Sequence, residues 1–149
     1  MTTFKPLEIA DIEIITQMMQ DFHAIDNYPM DIEVTKTLFQ EFISNEPLGK
    51  SWLIYSENEI VGYIILTFIF SFEYGGKIAF VEELFIKETA REKGFGKEAI
   101  QFIQQEVPKL SLKLLYLEVE PHNEKAQKLY LAHDFEIHNR KLMKYKVTK

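Results

Sequence analysis

The sequence predicts a single α/β domain over residues 1–149, with a mixed, mostly antiparallel sheet and helices on both faces. Two patterns predict it. In the first half, β-branched and aromatic runs are joined by short polar or glycine turns, which is hairpin chemistry. Further on, such runs alternate with amphipathic helical stripes, the pattern of strand–helix–strand crossovers. A third observation sets the scale: 149 residues, 46% hydrophobic and 27% charged, suit one globular core.

Phe4 to Leu7 reads as a short opening strand. Asp11 caps a helix running to about Ile25, with Ile12, Ile15, Met19, Phe22 and Ile25 recurring on one face. The break Asp26-Asn27-Tyr28-Pro29-Met30 stops it, and Asp31 caps a second helix with Val34, Leu38 and Phe42 turned inward. Trp52–Ser56 and Ile60–Phe72 are strands joined by the polar turn Glu57-Asn58-Glu59, and the length of the second predicts a bend or bulge. Tyr74-Gly75-Gly76 turns the chain into a strand over Ile78–Ile86. A helix from about Gly94 to Val107 follows, with Phe95, Ala99, Phe102 and Ile103 as its apolar stripe, and Pro108 ends it. Leu112–Val119 is a strand and Asn123–His133 a helix, and Phe135–His138 with Leu142–Val147 form a closing strand pair.

Composition excludes several function classes. With no cysteine there is no disulfide, thiolate zinc site, iron–sulfur cluster or cysteine nucleophile. His23, His122, His133 and His138 show no zinc spacing and no nucleophile partner, so they read as surface or packing residues and no metal is expected. Met1–Pro6 lacks an apolar signal core, and Ile60–Phe70 falls short of the about 20 residues of a membrane helix, so a cytoplasmic protein without membrane contact is expected. The net charge of −6 is uneven: residues 1–90 hold 5 Lys and Arg against 15 Asp and Glu, and residues 91–149 hold 12 against 8. An acidic surface overall argues against nucleic acid. The asymmetry reads either as solvated faces or as a first half that meets a cation and a second that meets an anion.

Glu82-Glu-Leu-Phe-Ile-Lys-Glu-Thr-Ala-Arg-Glu-Lys-Gly-Phe-Gly96 carries the most chemistry. A strand enters a loop with two glycines, and a helix begins there. Free amides at a helix N-terminus, approached closely past glycine, suit a pyrophosphate. A nucleotide P-loop fails, because Gly96-Lys97 is followed by Glu98 rather than Ser or Thr. A dinucleotide fingerprint lacks its acid about 20 residues on. Coenzyme A is the third reader of such a pattern.

Here the chain resembles the GNAT superfamily of N-acetyltransferases. Arg91-Glu-Lys-Gly94-Phe-Gly96 matches the family's Arg/Gln-x-x-Gly-x-Gly/Ala signature, with Ile86 ending a strand five residues before it. Asn123-Glu-Lys-Ala126-Gln-Lys-Leu129-Tyr130-Leu-Ala-His-Asp134-Phe135 matches a second pattern, Asn-x-x-Ala-x-x-Leu-Tyr-x-x-x-Gly-Phe. Element order agrees over nearly the whole chain, which implies the GNAT acyl-CoA N-acyltransferase fold. Phe80-Val-Glu-Glu-Leu-Phe-Ile86 is similar to the polyamine and small-amine acetyltransferases. Two departures stand out: Glu92 replaces a common glycine, and Asp134 replaces the glycine before Phe135, where a left-handed turn is expected.

The resemblance implies acetyl-CoA as donor and coenzyme A as product. Loop residues Arg91, Glu92, Lys93, Gly94, Phe95, Gly96 and Lys97 would hold the pyrophosphate, and the backbone of Leu84, Phe85 and Ile86 the pantetheine arm. Asn123, Ala126 and Tyr130 would line that arm, and Tyr130 would protonate the departing thiolate. An acceptor alkylamine, with a pKa of about 10.4, needs roughly 4–5 kcal/mol to lose its proton at pH 7. The adjacent Glu82 and Glu83 are expected on opposite faces of their strand. By its place in the family pattern Glu82 is assigned as general base, with Glu83 as a substrate contact; anchoring a cation is the other role open to them. Tyr28 would either wall the acceptor pocket or pack on Pro29. The expected partner is a small, cationic primary amine, acetylated directly without a covalent enzyme intermediate. A homodimer is compatible with this reading. A protein or peptide N-terminal acetyltransferase and a non-catalytic acetyl-CoA sensor are the alternatives.

Overall fold

In the computed structural model, which describes residues 1–147, the chain packs as two compact units, Met1–Glu118 and a second that begins at Val119. The first contains β1 (Thr2–Pro6), α1 (Ile12–Ile25), α2 (Ile32–Ser44), β2 (Gly49–Ser56), β3 (Glu59–Ser71), β4 (Gly76–Ile86), α3 (Phe95–Lys109) and β5 (Leu115–Leu117). The five strands form one sheet in sequence order, antiparallel except for the parallel pair β4–β5. The mixed α/β class is the expected one.

Each face of the sheet carries its own core. On one, Ala99 and Ile103 of α3 pack on Trp52, Ile54, Ile64, Leu66 and Val81. Phe102 stacks on Phe4 with centroids 4.1 Å apart and meets the Trp52 ring edge-on at 5.2 Å. On the other face, Ile12, Ile15 and Met18 of α1 and Phe39 of α2 cover Leu53, Tyr63, Ile65 and Phe85. Gly62 lets β3 and β4 approach closely, because a Cβ there would lie 2.0 Å from the Phe85 carbonyl oxygen.

Two bulges interrupt the ladders. Between β2 and β3, Ile54 faces Gly62 while Tyr55 faces Ile60, which leaves Val61 as the extra residue and delivers the expected irregularity of the long strand. Between β3 and β4, Ile65 faces Glu83 while Leu66 faces Val81, so Glu82 is extra. Val81 and Leu84 consequently both pack on the α3 side. The two glutamates between them share the opposite face, covered by α1 and α2, and the expectation of opposite faces is corrected. Strict alternation holds only while the ladder is regular.

Other expectations shift for physical reasons. Val34 and Leu38 do not turn into the core; they are 54% and 56% exposed, and Phe39 is the buried residue of α2. Ile25 is likewise exposed at the end of α1. Asp11 is the N-cap residue of α1, but its carboxylate makes no cap bond and instead takes Lys5 Nζ at 2.7 Å and the Glu8 amide at 3.0 Å. Asp31 does cap α2, accepting the Val34 amide at 3.1 Å. Pro108 lies inside the last turn of α3, which runs on to Lys109. β5 shrinks to three residues, paired with Ala79–Val81.

The second unit holds α4 (Glu124–Leu131), capped by Asn123, whose Oδ1 accepts the Ala126 amide at 3.1 Å. Beyond it the amides of His133 and Phe135 both donate to the Tyr130 carbonyl, and Asp134 takes the expected left-handed φ of 70°. The closing strand pair, Phe135–His138 with Leu142–Val147, does not form among the described residues. Ile137, Leu142, Met143, Tyr145 and Val147 are exposed, and an apolar pattern without a paired ladder does not make a strand.

Candidate active site

The loop after β4 has backbone geometry suited to an anion. Glu92 and Gly94 both adopt left-handed backbone, at φ 64° and 85°. Gly94 is the N-cap of α3 and offers no side chain to its amides; the first helical bond runs from the Glu98 amide to the Gly94 carbonyl at 3.1 Å. The amides of Phe95, Gly96 and Lys97 are therefore free of intrahelical partners. A Cβ at Gly94 would meet nothing within 4 Å, so the space in front of the loop is open. Arg91, Lys93 and Lys97 are exposed around it and supply positive charge. Arg91 Nε donates to the Ile86 carbonyl at 3.0 Å and ties the loop back to the strand. This backbone cradle fits a pyrophosphate.

β4 also supplies an open edge. β3 pairs with it as far as Ile86, whereas β5 covers only Ala79–Val81. Among the described residues, the β5-side edge from Glu82 to Ile86, which includes Leu84 and Phe85, is left without a strand. An extended, amide-bearing arm such as pantetheine can add there.

On the α1–α2 side, a cavity of about 510 Å³ opens between the two helices and strands β3 and β4. Met19, Met30, Val34, Leu38, Phe39 and Ile65 give it an apolar wall, while Asp31, Glu41 and Glu82 bring carboxylates. Among the described residues its lining contains no Lys or Arg. This explains the exposed face of α2: Val34 and Leu38 point into a cleft, where helical periodicity alone reads them as core. Glu82 is exposed and lies 3.4 Å from the Thr67 hydroxyl.

Glu83 is placed differently. It is half-buried, accepts the Tyr63 hydroxyl at 2.7 Å on Oε1 and meets His23 Nε2 at 2.7 Å on Oε2. Burial, followed by the charge of Glu83 and the bond to it, pushes the Tyr63 phenol far above its ordinary value, so it stays a donor. His23 lines the cavity, and Glu83 does not. Sequence reasoning missed His23, because 60 residues separate it from Glu83 and no local spacing announces the pair. Tyr28 is 53% exposed and outside the cavity lining, which includes its neighbours Pro29 and Met30.

In the second unit, Asn123 and Ala126 sit at the start of α4 and Tyr130 near its end. The Tyr130 ring meets Phe135 at 5.6 Å, and burial raises its hydroxyl above the ordinary phenol value. Among the described residues no three His, Asp or Glu side chains gather in a metal-binding arrangement, and no helix is long and apolar enough to cross a membrane.

Known proteins share this architecture. A D-amino-acid N-acetyltransferase of Saccharomyces cerevisiae (strain ATCC 204508 / S288c) is 25% identical over 130 residues, which span 85% of this chain and 80% of that protein. An integron cassette protein from the mobile metagenome of Cole Harbour Salt Marsh superposes with a TM-score of 0.87 at 29% identity, over 98% of this chain and 91% of that one. A predicted acetyltransferase from Clostridium acetobutylicum, solved with acetyl-CoA, has a TM-score of 0.81 at 13% identity, over 97% and 96% of the two chains. The profile of the acetyltransferase (GNAT) family matches residues 14–135, across both compact units. With the glycine loop at a helix start and most of the chain within that match, the protein belongs to the acetyltransferase (GNAT) family and is an acetyl-CoA-dependent N-acetyltransferase.

Proposed function

We propose that the acceptor is a small primary amine, cationic in solution and carrying an apolar body, lodged in the cavity between α1, α2 and β3–β4. The observation that carries this reading is the lining: an apolar wall, three carboxylates and no Lys or Arg among the residues described. Carboxylates attract an ammonium and repel an acidic acceptor, and the apolar wall favours alkyl or aromatic substituents. The donor brings an acetyl thioester. The chain's part is to hold the pyrophosphate on the amides of Phe95, Gly96 and Lys97, to receive the pantetheine along Leu84–Ile86, and to hold the ammonium at Glu82. Tyr130, kept protonated by burial, supplies the proton for the departing thiolate.

A second reading draws on the yeast relative, whose name gives D-amino acids as its acceptors. An amino acid brings a carboxylate, for which the described lining offers no Lys or Arg. Thiol release from acetyl-CoA with 1,4-diaminobutane, n-hexylamine, D-lysine, D-alanine and glutamate separates the two. The cationic-amine reading expects 1,4-diaminobutane and n-hexylamine to lead, with KM rising as salt screens the carboxylates. Preference for D-alanine or glutamate overturns it.

A further inference from the structure

The polar array Tyr63–Glu83–His23 takes no part in the chemistry proposed above. It spans three elements: Tyr63 on β3, Glu83 on β4 and His23 on α1. Tyr63 is fully buried, and the side chains of Glu83 and His23 are 15% and 25% exposed. Burying a phenol, a carboxylate and an imidazole together is unfavourable unless each is satisfied, and here two bonds of 2.7 Å satisfy them. The bulge at Glu82 is what turns Glu83 to this face.

We propose that His23 is the general base of the acetyl transfer, with Glu83 and Tyr63 as its positioning residues. This rests on the acceptor reading above. A carboxylate accepts, so Glu83 takes the Nε2–H of the ring and fixes the tautomer with the lone pair on Nδ1. The ring lines the acceptor cavity, and among the described residues no hydrogen bond engages Nδ1. An ammonium lodged there gives one proton to Nδ1 and becomes a neutral amine, while His23 becomes an imidazolium held by Glu83. The amine nitrogen then bonds the acetyl carbon, the carbon–sulfur bond breaks, and its electron pair leaves with the sulfur. The thiolate takes one proton from Tyr130, and the tyrosinate takes one back from solvent. The acetylated nitrogen sheds its second proton to solvent, as His23 does on resetting. An imidazole is the side chain whose ordinary pKa lies closest to neutrality, which suits it to this step. Exposed Glu82 keeps the task of attracting the cation. The charged or titratable groups around the ring are Glu83 and Glu82 from β4, Tyr63 from β3, and Asp31 and Glu41 from α2 on the same cavity.

The test is the pH dependence of kcat, by thiol release with whichever of 1,4-diaminobutane and n-hexylamine turns over faster. His23→Gln is expected to lose about 10²-fold in kcat and to lose the acid limb of the profile, with acetyl-CoA affinity unchanged by calorimetry. His23→Ala should recover rate on adding imidazole. Glu83→Gln removes the charge that holds the imidazolium, so the limb moves to lower pH. Tyr63→Phe leaves Glu83 more negative toward the ring, so the limb moves to higher pH. A merely structural array would not shift the limb in opposite directions. No thiol release by the wild-type enzyme with either amine would overturn the acceptor reading and the relay with it. Wild-type release with His23→Gln within threefold of it and the acid limb intact overturns the relay alone. Should His23→Gln fail to fold, the absence of opposite shifts in Glu83→Gln and Tyr63→Phe overturns it equally.

Discussion

Arg91 reaches back from the glycine loop and donates Nε–H to the Ile86 carbonyl at 3.0 Å, closing the stretch between the end of β4 and the start of α3. Its guanidinium also lies 5.7 Å from the centroid of the Phe85 ring. One side chain thus fixes the loop and adds charge beside the α3 amides. Arg91→Ala should weaken acetyl-CoA binding about 10-fold, or about 1.4 kcal/mol. Arg91→Lys should recover only part of this, because a lysine restores the charge but not the planar fork. Calorimetric titration of both variants with acetyl-CoA checks it.

Gly94 and Gly75 make a matched pair. Both are left-handed, at φ 85° and 82°, and a Cβ on either would meet nothing within 4 Å. Alanine at each position should therefore cost about the same, roughly 1–2 kcal/mol of backbone strain. Only Gly94 adjoins the loop amides. Gly94→Ala should weaken acetyl-CoA binding 10-fold or more, whereas Gly75→Ala should leave it unchanged at equal stability loss. Urea unfolding and calorimetry on both variants separate strain from site.

Tyr130→Phe keeps the ring on Phe135 and removes only the hydroxyl. Acetyl-CoA binding should persist while turnover falls by roughly 10²-fold. Because burial raises the hydroxyl above its ordinary value, the wild-type kcat should not decline on account of Tyr130 up to about pH 10. A pH series of kcat on both proteins tests both halves.

Tyr63 predicts a stability profile. Its folded-state phenol is held protonated by burial and by Glu83, while an unfolded tyrosine ionises near pH 10. The stabilisation is fully present below about pH 10 and is lost as pH rises beyond it, at about 1.4 kcal/mol per pH unit. Tyr63→Phe should be less stable at pH 7 by about 1.5–3 kcal/mol, the worth of a bond to a charged group, and should fall less steeply above pH 10. Urea midpoints from pH 7 to 11 give both numbers.

Leu38 is apolar, 56% exposed and on the cavity wall. Leu38→Ser should change stability by no more than about 0.5 kcal/mol, because little burial is lost. It should raise the KM for n-hexylamine more than that for 1,4-diaminobutane, whose second ammonium gains nothing from an apolar wall. Steady-state kinetics with the two amines reads the difference.

The sequence by itself determined the sheet-and-helix alternation, the glycine loop at the start of α3 and the family. These rest on local codes: turn residues, helical periodicity, and a glycine pattern whose spacing is also its geometry. Asp31 as a cap and Asp134 in a left-handed turn were legible for the same reason. Only the tertiary structure decided which faces meet. The bulge at Glu82 depends on how β4 registers with β3, and it turned Glu83 toward Tyr63 and His23. Helical spacing marks Val34 and Leu38 as apolar, but whether an apolar stripe meets a core or a cleft depends on what the neighbouring strands place opposite it. His23 had no legible role in the chain because its partner lies 60 residues away, and folding alone brings an imidazole and a carboxylate to 2.7 Å.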